Sequence, residues 1–258
     1  MRSRLVLGLV CVMAFGLAME AQTVYGIKGG CNLPRLYYSN PHLRDLPHVF
    51  LVGPSGGAFV EFPVWEQLAL APELNYQFRG GATTYPYLND TVSYSLVANH
   101  VNLRIPVCYY LTRDEVFKPY VVAGLEGGYA VNGLITLRQP GLPIPSKQVP
   151  INRSNYSRLQ FNALAGAGIR LDLNIHRVIL VIKLDAAVNW GFTDTFSKDE
   201  KQELSHPTNV YAYNHQGVRL SRGLEAHLGL GLIFKGGLKD ACGNFQNNYK
   251  RKKVSYVW

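Results

Sequence analysis

The sequence predicts an all-β fold: a closed antiparallel up-and-down transmembrane β-barrel of about eight strands. Three observations lead there. Amphipathic segments with a period of two recur along the chain. Their connections alternate between tight turns and long polar loops. The N-terminus has the layout of an export signal. Short turns on one side and long loops on the other, behind such a signal, form the pattern of a bacterial outer-membrane barrel.

Residues 1–21 read as a signal peptide. Arg2 and Arg4 supply the positive start, and Leu5 to Ala18 is an apolar run of about 14 residues. Ala18-Met19-Glu20-Ala21 offers small residues at the cleavage positions, so the mature chain is expected to start at Gln22. The run is short for a helical span of about 20 residues, and no long apolar run recurs after it. Cys11 has no small residue directly before it, which argues against a lipoprotein. The expected organisation is a signal peptide (1–21), an outer-membrane barrel (22–236) and a basic periplasmic tail (237–258).

The strands follow in order. In 24–33, Tyr25 and Ile27 oppose Lys28. In 57–64, Val60 and Phe62 oppose Glu61, and the tight turn Pro63-Val64-Trp65-Glu66 follows. In 68–79, Leu68, Leu70, Leu74, Tyr76 and Phe78 oppose Glu73, Asn75, Gln77 and Arg79. In 97–111, Val101, Leu103, Ile105, Val107 and Tyr109 oppose His100, Asn102 and Arg104, before the turn Thr112-Arg113-Asp114-Glu115. In 119–133, Val121, Leu125, Tyr129 and Val131 oppose Glu126 and Asn132. In 157–173, Leu159, Phe161, Ile169 and Leu171 oppose Gln160, Asn162, Arg170 and Asp172, and Asn174-Ile175-His176 turns the chain. The clearest strand, 177–190, sets Val178, Leu180, Ile182, Leu184, Ala186, Val188 and Trp190 against Lys183, Asp185 and Asn189. In 224–234, Leu224, Ala226, Leu228, Leu230, Leu232 and Phe234 oppose Glu225, His227, Gly229 and Gly231. The other connections, 35–52, 81–92, 138–156 and 193–220, are expected to be long loops.

Successive side chains of a strand point to opposite faces. In a membrane barrel the apolar faces meet lipid and the polar faces point inward, where charges must pair because unpaired buried charge is costly. The expected inward lattice is Lys28, Glu61, Glu73, Arg104, Glu126, Arg170, Asp172, Lys183, Asp185 and Glu225, with His100 and His227 nearby. A soluble sandwich would instead hide the apolar faces and solvate these charges. Eight strands leave an interior that side chains fill, so an open diffusion pore is not expected. The lattice reads first as a static device holding the barrel closed, with a relay or permeation path as the alternative.

Long loops are expected outside the cell, with both termini in the periplasm. The 193–220 loop carries Lys198-Asp199-Glu200-Lys201 and Tyr211-Ala212-Tyr213; 138–156 is Pro-rich from Gln139 to Pro145. Loops on a rigid scaffold are where binding usually resides. The formal net charge is +9 over 258 residues, but the basic run is confined to Lys250-Arg251-Lys252-Lys253. With no basic stripe interleaved with aromatics, and with export, nucleic acid is excluded as a partner. The tail reads as a solvated segment or a site for anionic partners; alternatively Val254, Tyr256 and Trp258 form an assembly signal or the closing strand.

Cys31, Cys108 and Cys242 survive processing without metal spacing. They are three plain thiols or include a Cys31–Cys242 bridge. No catalytic, metal or cofactor site is expected. GxSxG, HExxH and P-loop motifs are absent from the sequence, Ser205-His206 is only a loop neighbour pair, and His100 and His227 have no obvious Ser on their own faces.

Four stretches resemble the PorT-like porin family, small outer-membrane β-barrel proteins of Bacteroidetes. Tyr25-Gly26-Ile27-Lys28-Gly29-Gly30-Cys31-Asn32 is similar to the family's opening strand, and Leu70-Ala71-Pro72-Glu73-Leu74-Asn75-Tyr76 to its second motif. Val101 to Val107 followed by Lys118 to Gly124 is similar to the central hairpin. Gly166 to Ile169 and Leu228 to Phe234 are similar to the closing strands. The resemblance implies an outer-membrane, non-enzymatic barrel; strand alternation and loop asymmetry point to a structural, adhesive or assembly role. It also raises a subunit role in type IX protein secretion as an alternative. A lipid A-modifying enzyme is a second alternative, since some eight-stranded barrels have that activity. The expected partners are outer-membrane lipid and, under the secretion reading, other envelope or secretion proteins.

Overall fold

A computed structural model describes residues 23–38, 48–87, 90–114, 116–138, 147–153, 156–175, 178–195 and 219–234. The signal region, the tail from 237, Cys242 and most of the 193–220 loop lie outside the described residues.

Among the described residues eleven strands form one antiparallel sheet: β1 (Val24–Tyr38), β2 (His48–Val49), β3 (Gly53–Pro63), β4 (Leu68–Leu70), β5 (Glu73–Tyr87), β6 (Asp90–Tyr110), β7 (Phe117–Arg138), β8 (Lys147–Pro150), β9 (Leu159–Ile175), β10 (Val178–Gly191) and β11 (Arg219–Phe234). Eight of them close a ring. β1 pairs with β3, β3 with β5, and the order continues through β6, β7, β9, β10 and β11 back to β1. β2 and β8 are short additions on β5 and β7 at the loop end. β4 is the first part of the fifth strand, interrupted at Ala71-Pro72, where Pro72 cannot donate and its carbonyl instead accepts from Val60 N–H at 3.0 Å. Closure is made by β11 on β1 from Tyr25↔Leu232 to Tyr38↔Arg219, so the ring needs nothing from the tail.

The faces sort as a membrane barrel requires. Leu103 is 56 % exposed on the outside while its neighbour Arg104 is 2 % exposed in the lumen. Ile27, Leu74, Leu125, Leu184 and Leu228 also face out. Aromatic side chains mark both edges of the apolar band, with Tyr25, Trp65, Tyr109 and Phe117 at the turn end and Tyr129, Phe161, Trp190 and Phe192 at the loop end.

Three expectations are corrected. Residues 81–92 are not a long loop: β5 and β6 stay paired from Glu73↔Arg104 up to Tyr87↔Asp90. Their upper part carries Thr, Tyr and Val, good strand formers. The pattern inverts there, because the wall has passed the lipid: Tyr94, Leu96 and Ala98 point inward, and Thr84, Ser93, Ser95 and Asn99 are on the outward side. For the same reason β1 runs to Tyr38, well into the span expected to be loop. Asn132 does not share the inward face of Glu126. The β6–β7 register slips between Asn99 and His100, opposite Asn132 and Ala130, so Asn132 turns outward and donor Asn99 meets its side-chain oxygen at 2.7 Å.

Candidate functional site

The polar faces of the eight strands converge in the lumen. Nine of the ten side chains expected in the inward lattice have an ion-pair partner there, and the tenth, Asp185, is held by His227 and Tyr120. Lys28 meets Glu73. Arg104 donates to Glu126 and, at 2.7 Å, to Glu225. Arg170 meets Glu61 and Asp172, and Lys183 reaches Glu61 at 2.7 Å. Asp185 lies 3.3 Å from His227 Nδ1 and accepts from the Tyr120 hydroxyl at 3.2 Å.

Two further cations belong to the set. Arg79 pairs with Glu126, and Lys118 pairs with Asp172 at 2.7 Å. The expected list held six acids and four bases; with Arg79 and Lys118 the acids Glu61, Glu73, Glu126, Asp172, Asp185 and Glu225 face six bases. That charge deficit was itself the signal that two bases were missing. Neutral amides complete the upper part: Gln77 Oε1 accepts from Arg104 and Asn102, each at 2.9 Å, and Asn162 donates to Glu126 at 2.8 Å.

Pairing runs across the lumen more than along the sheet. Lys118, Arg170 and Lys183 are direct cross-strand neighbours, an arrangement that repels on its own. Glu61 reaches over from β3 between Arg170 and Lys183 and also accepts from the Tyr110 hydroxyl. Each such bond ties together strands that share no ladder.

Apolar layers cap the lattice. At the loop end Leu36, Tyr38, Tyr94, Leu96, Ala98, Ala130, Ile135, Ile151 and Tyr156 form one cluster. Tyr156 comes from the segment before β9, and its hydroxyl accepts from Gln160 at 2.6 Å and lies 3.3 Å from His100 Nε2. Burial raises the Tyr156 phenol above its ordinary range, so it stays neutral. Towards the turn end Ala69, Ala71, Cys108, Tyr110 and Tyr120 pack together, as do Val24, Phe59, Val181 and Ile233. Between the layers, the void lined by Lys28, Glu73, Arg104, Lys183 and Asp185 is about 20 Å³, room for about one water. A larger pocket of about 440 Å³ opens at the turn end beside Tyr110, Lys118, Arg170 and Asp172.

His227 does have a serine neighbour, contrary to expectation. Ser55 comes from β3, two strands away through β1, and its hydroxyl is 2.8 Å from His227 Nε2. Asp185 sits at the other ring nitrogen. The residue types and connectivity are those of a nucleophile, base and orienting acid. Yet Ser55 and His227 are buried, and neither lines the two pockets described above. Glu225 also lies 3.8 Å from the same Nε2. Among the described residues no group of three His, Cys, Asp or Glu side chains is placed to hold a metal. Cys31 and Cys108 are free thiols on opposite faces of the wall, exposed and buried respectively.

Residues 21–197 match the family model described as outer membrane protein beta-barrel domain. The chain belongs to this family. It is a small outer-membrane β-barrel protein, and its location is the outer membrane. Among solved structures it is similar to neisserial surface protein A, at 11% identity over 80% of this chain and 96% of that one, with a TM-score of 0.36. It is also similar to Ail, the attachment invasion locus protein of Yersinia pestis, at 9% identity over 82% and 99%, TM-score 0.36. A third is the outer membrane protease OmpT from Escherichia coli, at 7% identity over 83% and 96%, TM-score 0.37. No curated protein matches the chain.

Proposed function

We propose that this protein is a sealed outer-membrane barrel with a structural, adhesive or assembly role, neither a diffusion pore nor an enzyme. The observation behind this reading is the lumen. Its middle holds a void of about 20 Å³ among paired charges, between apolar layers. A permeation path needs a continuous wet channel, and a hydrolase needs a nucleophile that substrate can reach. Binding then falls to the connections at the loop end, which face the exterior, with both termini in the periplasm; long loops outside and short turns inside is the general arrangement of such barrels. Within the family, the motifs of β1, β4–β5, β6–β7, β9 and β11 support reading the chain as similar to the PorT-like members of Bacteroidetes.

The test is electrical. Purified full-length protein in planar bilayers gives no stepwise conductance beyond the protein-free baseline, while a wide porin in the same bilayers does. Regular single-channel steps that track protein concentration overturn the sealed reading.

A further inference from the structure

On the outer wall at the loop end two cations stand directly opposite each other. Arg35 of β1 and Arg222 of β11 are Cα partners across the seam that closes the barrel. Their inward neighbours Leu36 and Ser221 are buried, so both guanidiniums lie on the lipid-facing side. Like charges opposite one another weaken a ladder. Among the described residues neither has a carboxylate partner; what holds them is aromatic. Arg222 lies over the Tyr37 ring at 3.7 Å and Arg35 over the Phe50 ring at 5.5 Å, while Trp190 of β10 is the other cross-strand neighbour of Arg222.

Their height on the wall selects the ligand. From Tyr25↔Leu232 at the turn end to Arg35↔Arg222, β1 advances ten residues. At about 3.3 Å per residue and a tilt of about 40°, this climbs about 25 Å, the height of the lipid-facing band of such barrels. The outward residues below, Leu33 and Leu224, are apolar. The arginine pair therefore sits at the upper edge of the hydrocarbon, at headgroup level. Two planar guanidiniums side by side match the oxygens of one phosphate group.

We propose that Arg35 and Arg222 form a binding site for the phosphate of an outer-leaflet lipid, one anion bridging both guanidiniums and relieving their repulsion. The outer-leaflet assignment rests on the orientation given above; the site itself does not.

The experiment uses the purified full-length protein in a neutral detergent and reads the temperature at which the folded, SDS-resistant band is lost. The probes are lipid A, dephosphorylated lipid A and inorganic phosphate. Lipid A raises the midpoint, dephosphorylated lipid A does not, and phosphate at the same concentration does not. The R35Q/R222Q variant, folded with an unliganded midpoint like that of the parent, needs about tenfold or more lipid A for the same rise. R35K/R222K, which keeps the charge but not the fork, falls between. An equal response of parent and R35Q/R222Q, or of the two lipids, overturns the site. A response to phosphate equal to that to lipid A overturns the lipid as its ligand. If R35Q/R222Q fails to fold, R222Q alone is compared with the parent. Orientation is read separately, by labelling a cysteine placed in the 193–220 loop of intact cells with a membrane-impermeant reagent. A loop that stays unlabelled until the cells are opened overturns the outer-leaflet assignment while leaving the phosphate comparison intact.

Discussion

Arg170 and Lys183 are direct Cα partners across β9 and β10, two cations side by side within the lumen. Glu61, from the opposite wall, bonds both. Glu61→Gln keeps the shape but takes away the ion pair of Lys183 and leaves Arg170 with Asp172, which Lys118 shares. Breaking a buried pair from one side costs about 3–5 kcal/mol. The loss temperature of the SDS-resistant band should fall accordingly. Adding Lys183→Met should restore part of it, because the apolar side chain removes the stranded charge. A double variant no more stable than Glu61→Gln counts against electrostatic strain as the cause.

Arg104 offers a contrast within one protein. It is buried and bonds Glu126 and Glu225, whereas the Arg113–Glu66 pair at the turn end is exposed. Arg104→Ala should destabilise by about 3–5 kcal/mol, and Arg113→Ala by about 1 kcal/mol at most. Urea unfolding from liposomes measures both. Equal effects would place Arg104 in water.

The membrane part of this fold was legible because one physical rule, lipid outside and ion pairs inside, governs every strand there. Val101 to Tyr109 and Val178 to Trp190 are read correctly by alternation alone. The rule lapses where the wall leaves the lipid, and there the reading failed: Thr83, Thr84 and Thr91 looked like a loop although they are paired strand residues. Asn132 was misplaced because a bulge leaves no mark in composition. Lys118 escaped notice beside a turn, and Ser55 because its partner is 172 positions away in sequence. Cross-lumen contacts depend on ring order and register, which periodicity does not encode.

Gly80 shows how closely the upper wall is built. Its φ is +146°, and a β-carbon there would lie 1.9 Å from the Leu96 carbonyl oxygen on β6. No side-chain rotation relieves a clash with backbone. Gly80→Ala should cost about 1–3 kcal/mol through strain at a positive φ, more if the β5–β6 ladder separates. Its readout is faster amide exchange over residues 93–99, with the ladder near Lys183 unchanged. Uniform protection along both regions would show that the backbone shifts there without cost.

The Ser55–His227–Asp185 chain gives the sharpest test of the non-enzymatic reading. A serine activated by histidine reacts with fluorophosphonates when the reagent can reach it. Ser55 is buried against His227 of β11, two strands away through β1. The folded protein should therefore take up no fluorophosphonate, as judged by intact mass, over times that fully label a known serine hydrolase. Ser55→Ala should instead act on stability, lowering the free energy of unfolding by about 1–3 kcal/mol because His227 loses a buried hydrogen-bond partner. Ser55→Thr, which keeps the hydroxyl but adds a methyl, tests packing at the same place. Stoichiometric labelling mapped to Ser55, and abolished by His227→Ala, would establish an activated nucleophile and a path for substrate into the lumen.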